Sequence, residues 1–468
     1  MLFKKTLLVI MCSSALVACG GGGSSGSGPN GGGSGGNVTT PVSDLDKAKQ
    51  LIETTRAIIS YYDGFQDIAD NYKTPVEVIN NTASDLGRAS DIILTLAELA
   101  QENSQGQSKQ YSAADLEQLL KNDAIKNEYP LGYDLKNNTL QIQVAAGSVK
   151  VSGTVDVAYW DDFKQPMIGD WSNPDWLTGK DNFVYANQAK VSVSNLVVEA
   201  PFVANQSTYN FKIANGGTIE VINAVQQKAK FSFTADSTAK LVHSVSNTLD
   251  NQETLPNQAS LLLQGLVFES ADVKATLNEV SMAAKTVKFS DGQFTNEQLI
   301  PYELTLKGQV SYLQEALDLD ASIKLNNDLS KVIDISQDKE TSLNFINADL
   351  AVKLSGKLKG ANATPTPFSI GVTAKRADYL KGTANVSVVV DKNALDIEFA
   401  TKDITLEKPI VSSMIKHKNG AFVQIADIQN FSTADVKVGT TSYGTITKNT
   451  SEQYAVKFID NTVVYITP

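Results

Sequence analysis

The sequence predicts an α+β fold, with an N-terminal α-helical module over residues 43–122 and a large curved antiparallel β-sheet region over residues 139–468. In the first part, apolar residues recur every three or four positions, as in helices with one buried face. In the second part they alternate with polar residues, as in antiparallel strands that bury one face and expose the other. A meander or a sandwich, in one body or two subdomains, fits this pattern.

The helical module begins at a capping-box pattern, Ser43 with Asp46, which marks a helix start. The periodicity that follows predicts a helix as far as Asn71. A second stretch, residues 76–100, places its apolar residues on one face in the same way and predicts a second helix.

A shorter third helix is predicted at the end of the module. Ser112 and Asp115 stand at the spacing that lets a serine cap the first turn. The apolar periodicity after them predicts a helix that ends near Asn122.

The alternation in the β region predicts hairpins wherever two alternating stretches flank a short gap. One gap, Leu313 to Ala316, is predicted to be a four-residue connection. Earlier, the parity of the alternation changes between Val144 and Val149, which predicts a bulge or bend beside Gly147. The hairpins are predicted from the paired stretches 304–312 with 317–325, 348–360 with 368–375, and 384–390 with 395–400.

A short phrase returns in the strands, reading apolar, polar, Gly, polar, apolar. This spacing puts each glycine on the apolar face, where it lets a sheet coil or another layer approach closely. The spacing between the copies is irregular, so the phrase indicates curved strands rather than a regular repeat architecture. The glycines are Gly153, Gly308, Gly356 and Gly382.

The N-terminus has the layout of a secretory signal. Lys4 and Lys5 precede an apolar stretch at residues 7–11, and small residues lead to Cys19. The apolar stretch is too short for a permanent membrane-spanning helix. Residues 1–18 are therefore expected to be removed.

Residues 16–20, Leu-Val-Ala-Cys-Gly, resemble the bacterial lipobox. The resemblance implies that Cys19 carries a diacylglycerol and an N-acyl chain such as palmitate. No cofactor is predicted. Gly20 stands where many lipoproteins of the inner membrane have aspartate, which implies the outer membrane without indicating the leaflet. The alternative is an ordinary signal peptide with an incidental cysteine. Several acyl chains together hold a protein stably at a membrane.

Residues 19–42 form the expected tether. Their Gly- and Ser-rich composition cannot bury apolar surface and favours a flexible chain. A chain of this kind has an average reach of roughly 26 Å. The folded body can therefore work at a distance from the lipid surface.

Composition excludes several classes of function. The formal net charge of −11 opposes binding to nucleic acid. Cys12 lies in the signal and Cys19 in the lipobox, so thiol catalysis and cysteine-based metal sites are not expected in the body. His243 and His417, the two histidines, stand in unrelated contexts. No nucleophile elbow, zinc-protease helix or P-loop is present, so the sequence predicts a protein that is not an enzyme.

All three tryptophans lie in the segment 159–185, together with five aspartates. Aromatic faces edged by carboxylates could bind a sugar or another flat ligand, or could form an aromatic plug at one end of the sheet. The aspartates are also weak candidates for calcium, although their spacing does not match a calcium loop. The tryptophans are Trp160, Trp171 and Trp176, and the aspartates are Asp161, Asp162, Asp170, Asp175 and Asp181.

Two functions are open at this point. In the first, a non-enzymatic outer-membrane lipoprotein binds an unidentified partner or scaffolds the envelope, with loop 159–185 as the contact. In the second, a periplasmic protein holds lipid in a groove on the apolar face of its sheet. A glycan-active enzyme using Asp161 and Asp162 is a remote alternative, because adjacent residues on a strand face opposite ways.

Overall fold

The computed structural model describes most of the chain after the tether. Cys19, the signal and nearly all of the tether lie outside the described residues, as do Trp171 and Asp170. The described ranges are 42–71, 73–164, 172–199, 207–243, 255–271, 273–290, 295–326, 333–334, 344–345, 349–359, 364–376, 380–403, 409–450 and 453–467.

Four α-helices lie in the described residues, and three of them occur where the periodicity predicts them. The third helix continues beyond Asn122, because Leu116, Leu120 and Ala124 extend its buried face by a further turn. The helices are α1 (Asp44–Asn71), α2 (Lys73–Ser104), α3 (Ala113–Lys126) and α4 (Pro174–Thr178), and a 3-10 turn covers Lys180–Asn182.

Both helix starts that the sequence predicts at a serine are capped by that serine, and the full capping box is present at α3. The backbone N–H of Asp46 donates to Ser43 Oγ at 3.1 Å, and the Ser43 hydroxyl donates to Asp46 Oδ2 at 2.6 Å. At α3 the backbone N–H of Ser112 donates to Asp115 Oδ2 at 2.8 Å, and Ser112 Oγ accepts from the Asp115 N–H. These bonds satisfy N–H groups that the first turn leaves without a helical partner.

The described strands dominate the chain, and every pairing among them is antiparallel. One sheet contains 23 strands, and β14 with β15 forms a separate pair. The strands are β1 (Lys109–Tyr111), β2 (Tyr133–Lys136), β3 (Gln141–Ala145), β4 (Ser148–Phe163), β5 (Phe183–Glu199), β6 (Thr208–Ile213), β7 (Thr218–Asn223), β8 (Lys228–Phe233), β9 (Ser237–Val242), β10 (Gln258–Ser270), β11 (Val273–Ser290), β12 (Thr295–Tyr312), β13 (Glu315–Leu325), β14 (Ile333–Asp334), β15 (Asn344–Phe345), β16 (Asp349–Lys359), β17 (Thr366–Arg376), β18 (Gly382–Val390), β19 (Asn393–Thr401), β20 (Val411–Lys416), β21 (Ala421–Ile425), β22 (Thr433–Val438), β23 (Thr441–Thr450), β24 (Gln453–Phe458) and β25 (Val463–Ile466).

From β10 onward the strands of the large sheet pair in chain order, with β13 followed by β16, as far as β25. Before β10 the sheet forks. Strand β5 pairs with β7 along one part and with β6 along another, and β10 pairs with β8 and β9 in the same way. Two short pairs, β7 with β8 and β6 with β9, fill the fork.

The three predicted hairpins are confirmed, and two local expectations are corrected. The connection after Tyr312 is a tight turn, since Tyr312 pairs directly with Glu315 and Leu313 takes a positive φ of 54°. The parity change near Gly147 marks a tight turn in which the chain reverses its direction, rather than a bulge within one strand. Ala145 pairs with Ser148, and Gly147 has φ 77°. Glycine adopts this conformation without a steric cost, so it closes the turn.

The helices cover the two ends of the large sheet rather than sharing one core. Leu51 and Ile52 of α1 are buried in a cluster with strands of the C-terminal part. Leu86 and Ile92 of α2 are buried in a second cluster with strands β3 to β11, which α3 also joins. Helices therefore cover one face of the sheet at both ends.

Candidate functional site

The candidate site is the middle of the apolar face, on strands β12, β13 and β16–β19. Directly paired residues of neighbouring strands carry their side chains on the same face. The register therefore aligns one apolar row across all six strands. That row is Leu306, Ala321, Leu354, Ile370, Val388 and Leu395.

We define the central apolar face as the part of this surface that is not fully buried. Its members lie in register between the two helix-covered ends, and Ile323 is the most open of them at 44 % exposure. No interior position of this face carries a charge or a hydrogen-bonding side chain. The face consists of Leu304, Leu319, Ala321, Ile323, Val352, Leu354, Ile370, Val372, Ala374, Ala384, Val386, Ile397 and Phe399.

The face closes at one end of its strands and opens at the other. Phe368 and Val390 are buried, and Tyr61 and Tyr62 of α1 pack in the same cluster. Burial raises the pKa of Tyr61 to about 12, so its phenol stays neutral. Ile323 lies toward the opposite strand ends, where the surface is accessible to solvent.

The opposite side of the same strands is polar. Cross-strand ion pairs join Lys307 Nζ to Glu279 at 2.9 Å and Lys416 Nζ to Glu398 at 2.6 Å. Thr373, on this side, is exposed. Because each strand is polar on one side and apolar on the other, water covers the polar surface, whereas the central apolar face is half-buried at all its positions except Ile323.

Two glycines of the repeated phrase lie where a neighbouring strand approaches closely. A Cβ on Gly308 would lie 2.5 Å from the Thr276 carbonyl oxygen, and one on Gly356 would collide with the Asp318 carbonyl oxygen. The neighbouring strand thus approaches on the apolar side, where Gly308 and Gly356 both pair with Leu319.

An apolar cavity of about 30 Å³ lies beneath the fork of the sheet, under α2. Ile93 of α2 lines it together with Leu196, Phe233 and Leu263. A cavity of this size holds about one water molecule or one methyl group. Leu263 also belongs to a buried cluster that Leu319 and Ala321 of the central apolar face join, so the cavity borders that face.

The described parts of the tryptophan segment, residues 159–164 and 172–185, contain strand and helix where a long loop was expected. Trp160 lies in strand β4 rather than in the connection, and Trp176 lies in α4. The Phe163 ring stacks on Trp176 at 5.6 Å and meets Trp160 edge-on at 5.5 Å, while buried Phe183 contacts Trp176 at 5.5 Å. These contacts favour the aromatic plug, although Trp160 keeps 38 % exposure.

The aspartates of the segment do not converge in the described residues. Asp161 and Asp162 are exposed at the end of β4, where the sheet register shifts, and Asp162 Oδ1 accepts from the Phe163 N–H at 2.7 Å. Asp175 lies in the first turn of α4. Over the described ranges, no three His, Cys, Asp or Glu side chains are grouped to hold a metal ion.

The two histidines lie far apart in the fold. His243 follows β9 with its ring 5.7 Å from that of Tyr209, and burial lowers its pKa. His417 lies in the turn between β20 and β21, where its Nδ1 accepts from the Asn419 N–H at 3.4 Å. Among the described residues, neither arrangement brings a nucleophile or a carboxylate partner to the imidazole.

Sequence reasoning located the apolar strands but not the part of their face that stays open. The alternation of Ile370 and Val372 with polar residues was the available signal, and it is the same in the covered strands.

Of the helices in the described part of the chain, none is both long and apolar enough to cross a membrane. No protein-family model, curated protein or solved structure matches this chain.

Proposed function

We propose that this chain is a non-enzymatic, lipid-anchored protein of the bacterial outer membrane whose central apolar face binds acyl chains. The observation that carries the proposal is the uncharged, incompletely buried central apolar face, which spans six strands between two helix-covered ends. Lipidation at Cys19 and removal of residues 1–18 are part of the proposal and rest on the lipobox resemblance.

The chemistry of the face favours acyl chains over a peptide. A bound peptide would leave its backbone N–H and C=O groups without partners on a surface that offers no polar side chain in its interior, and each such group costs free energy. Acyl chains carry no such groups and gain about 25 cal/mol for each Å² of apolar surface removed from water.

Binding through the tryptophan segment is the second candidate, supported by the 38 % exposure of Trp160 beside Asp161 and Asp162. It ranks lower because Trp176 and Phe163 already stack on each other. Under this candidate, ligand binding would depend on the tryptophans and not on the central apolar face.

The test uses the full chain with Cys19→Ser, which prevents lipidation, and cis-parinaric acid as a fluorescent acyl probe. Val372→Asp places a carboxylate on the central apolar face. Thr373→Asp, at the next residue, places a carboxylate on the polar side of the same strand. We expect at least a tenfold loss of probe affinity for Val372→Asp and less than a twofold change for Thr373→Asp, with unchanged far-UV circular dichroism for both.

Equal binding by Val372→Asp, Thr373→Asp and the parent chain would contradict the acyl-chain proposal. If Trp160→Ala removed binding and Val372→Asp did not, the tryptophan candidate would replace it. Absence of any probe binding by the parent chain, with native circular dichroism, would also contradict the proposal.

Protease shaving distinguishes the two sides of the outer membrane. Release of the body at the tether, residues 19–42, from intact cells would show that it faces outward. Release only after permeabilisation would place it in the periplasm, where acyl-chain transfer between membranes is the simplest use of such a face.

A further inference from the structure

A second feature, independent of acyl-chain binding, lies at the C-terminal edge of the large sheet. Strand β25, Val463–Ile466, pairs with β24 on one side and with no other strand of the described residues. Unpaired strand edges are templates for pairing with another chain unless charge, proline or a covering element blocks them. Residues 461–467 carry no charge.

The hydrogen-bond pattern shows which backbone groups point outward. The Phe458 N–H donates to the Thr462 carbonyl at 2.9 Å, so Phe458 and Thr462 form a hydrogen-bonded pair. Such pairs alternate with non-hydrogen-bonded pairs along an antiparallel ladder. Val464 therefore bonds to β24, whereas the N–H and C=O groups of Val463 and Tyr465 point to the free edge.

The side chains at this edge are apolar and open to solvent. Val463 is 45 % exposed, Tyr465 53 % and Ile459, in the preceding turn, 62 %. Val463 and Tyr465 point to the same side of β25 and lie beside the outward backbone groups. A partner strand would cover both features at once.

We propose that β25 pairs antiparallel with β25 of a second copy of this chain, about a two-fold axis at Val464. In this register Val463 lies opposite Tyr465 of the second copy, and the two residues exchange both of their outward backbone hydrogen bonds. By symmetry, Tyr465 of the first copy and Val463 of the second copy exchange the same two hydrogen bonds. Each side then gains an aromatic–β-branched cross-strand contact, which is a favourable pairing.

Charge and continuity favour a second copy as the occupant. Two chains that each carry a net charge of −11 repel each other at most of their surfaces. Pairing at an uncharged edge brings no like charges together. The inward side chains of Val464 and Ile466 belong to the α1-covered core. Pairing about Val464 would therefore continue one apolar face across both copies.

The test is cross-linking in the full chain with Cys12→Ser and Cys19→Ser, so that an introduced cysteine is the only thiol. Val464→Cys places two thiols opposite each other in a non-hydrogen-bonded pair, whose Cα separation of about 4.5 Å permits a disulfide. Val225→Cys, at a position 72 % exposed in the β7–β8 turn, is the control. We expect Val464→Cys to form disulfide dimers at least tenfold faster than Val225→Cys.

Sedimentation velocity at chain concentrations up to roughly 1 mM, where weak dimers are populated, provides a second measurement. The parent chain should form dimers, Tyr465→Lys should lose them, and Val225→Lys should keep them. Tyr465→Pro should also lose them, since it removes an outward N–H without breaking the bonds to β24.

Three results would overturn the proposal. A parent chain that stays monomeric would do so, as would equal cross-linking rates for Val464→Cys and Val225→Cys. Growth beyond dimers would indicate head-to-tail pairing with another edge, because a two-fold contact closes after two copies. Each result leaves acyl-chain binding by the central apolar face unaffected.

Discussion

Lys49 of α1 reaches the turn between β24 and β25, where its Nζ lies 2.5 Å from Asp460 Oδ2. The two residues are 411 positions apart in the chain. The hydrogen bond from Lys49, with further bonds from Thr462, lowers the pKa of Asp460 to about 2. This contact joins the first helix to the last hairpin.

We predict that Asp460 stabilises the fold above its unfolded pKa of about 4. Because the folded pKa is the lower one, this contribution is lost as the pH falls from about 4 through about 2. Thermal unfolding of Asp460→Asn should occur at a lower temperature than that of the parent chain at pH 6, and the difference should shrink by pH 2. An equal difference at both pH values would contradict the prediction.

Gly356→Ala should destabilise the protein by about 1–3 kcal/mol, because the new methyl group meets the Asp318 carbonyl oxygen and forces the backbone to move. Gly371→Ala is the matched control, since nothing lies within 4 Å of a Cβ there. It should change stability by less than about 1 kcal/mol. Urea unfolding of both variants measures the contrast, and similar losses would argue against the close approach at Gly356.

Trp176→Ala should cost about 3 kcal/mol, because it removes ring contacts with Phe163 and Phe183. Trp160→Ala should cost about 1 kcal/mol, since Trp160 is more exposed and its ring contact is a single edge-on one with Phe163. Urea unfolding followed by circular dichroism measures both losses. If neither variant lost stability, the aromatic plug would be the wrong interpretation.

Tyr133 and Tyr159 form a matched pair under α2. The Tyr133 hydroxyl donates to Asp91 Oδ2 at 2.7 Å, whereas the buried Tyr159 hydroxyl has no hydrogen-bond partner among the described residues. Tyr133→Phe should therefore cost about 2 kcal/mol, and Tyr159→Phe should be neutral or slightly stabilising. Equilibrium unfolding in urea measures both, and a larger loss for Tyr159→Phe would contradict the assignment.

Local patterns predicted the elements because their causes are local. Ser112 and Asp115 make their capping bonds within one turn, so spacing alone indicates the start of α3. The alternation around the tight turn after Tyr312 likewise predicts a hairpin. The end of α3 lies beyond the predicted one because Ala124 is a weak apolar residue whose burial arises from the surrounding core cluster.

The sequence by itself determined that this chain has capped helices followed by antiparallel strands with one apolar face, since helix and strand periods are visible in neighbouring residues. Only the tertiary structure decided which part of that face stays open. Ile370 and Val423 alternate alike in sequence, but α1 packs across β21 and leaves β17 partly uncovered. Coverage depends on where a helix far away in the chain comes to lie, which no local pattern encodes.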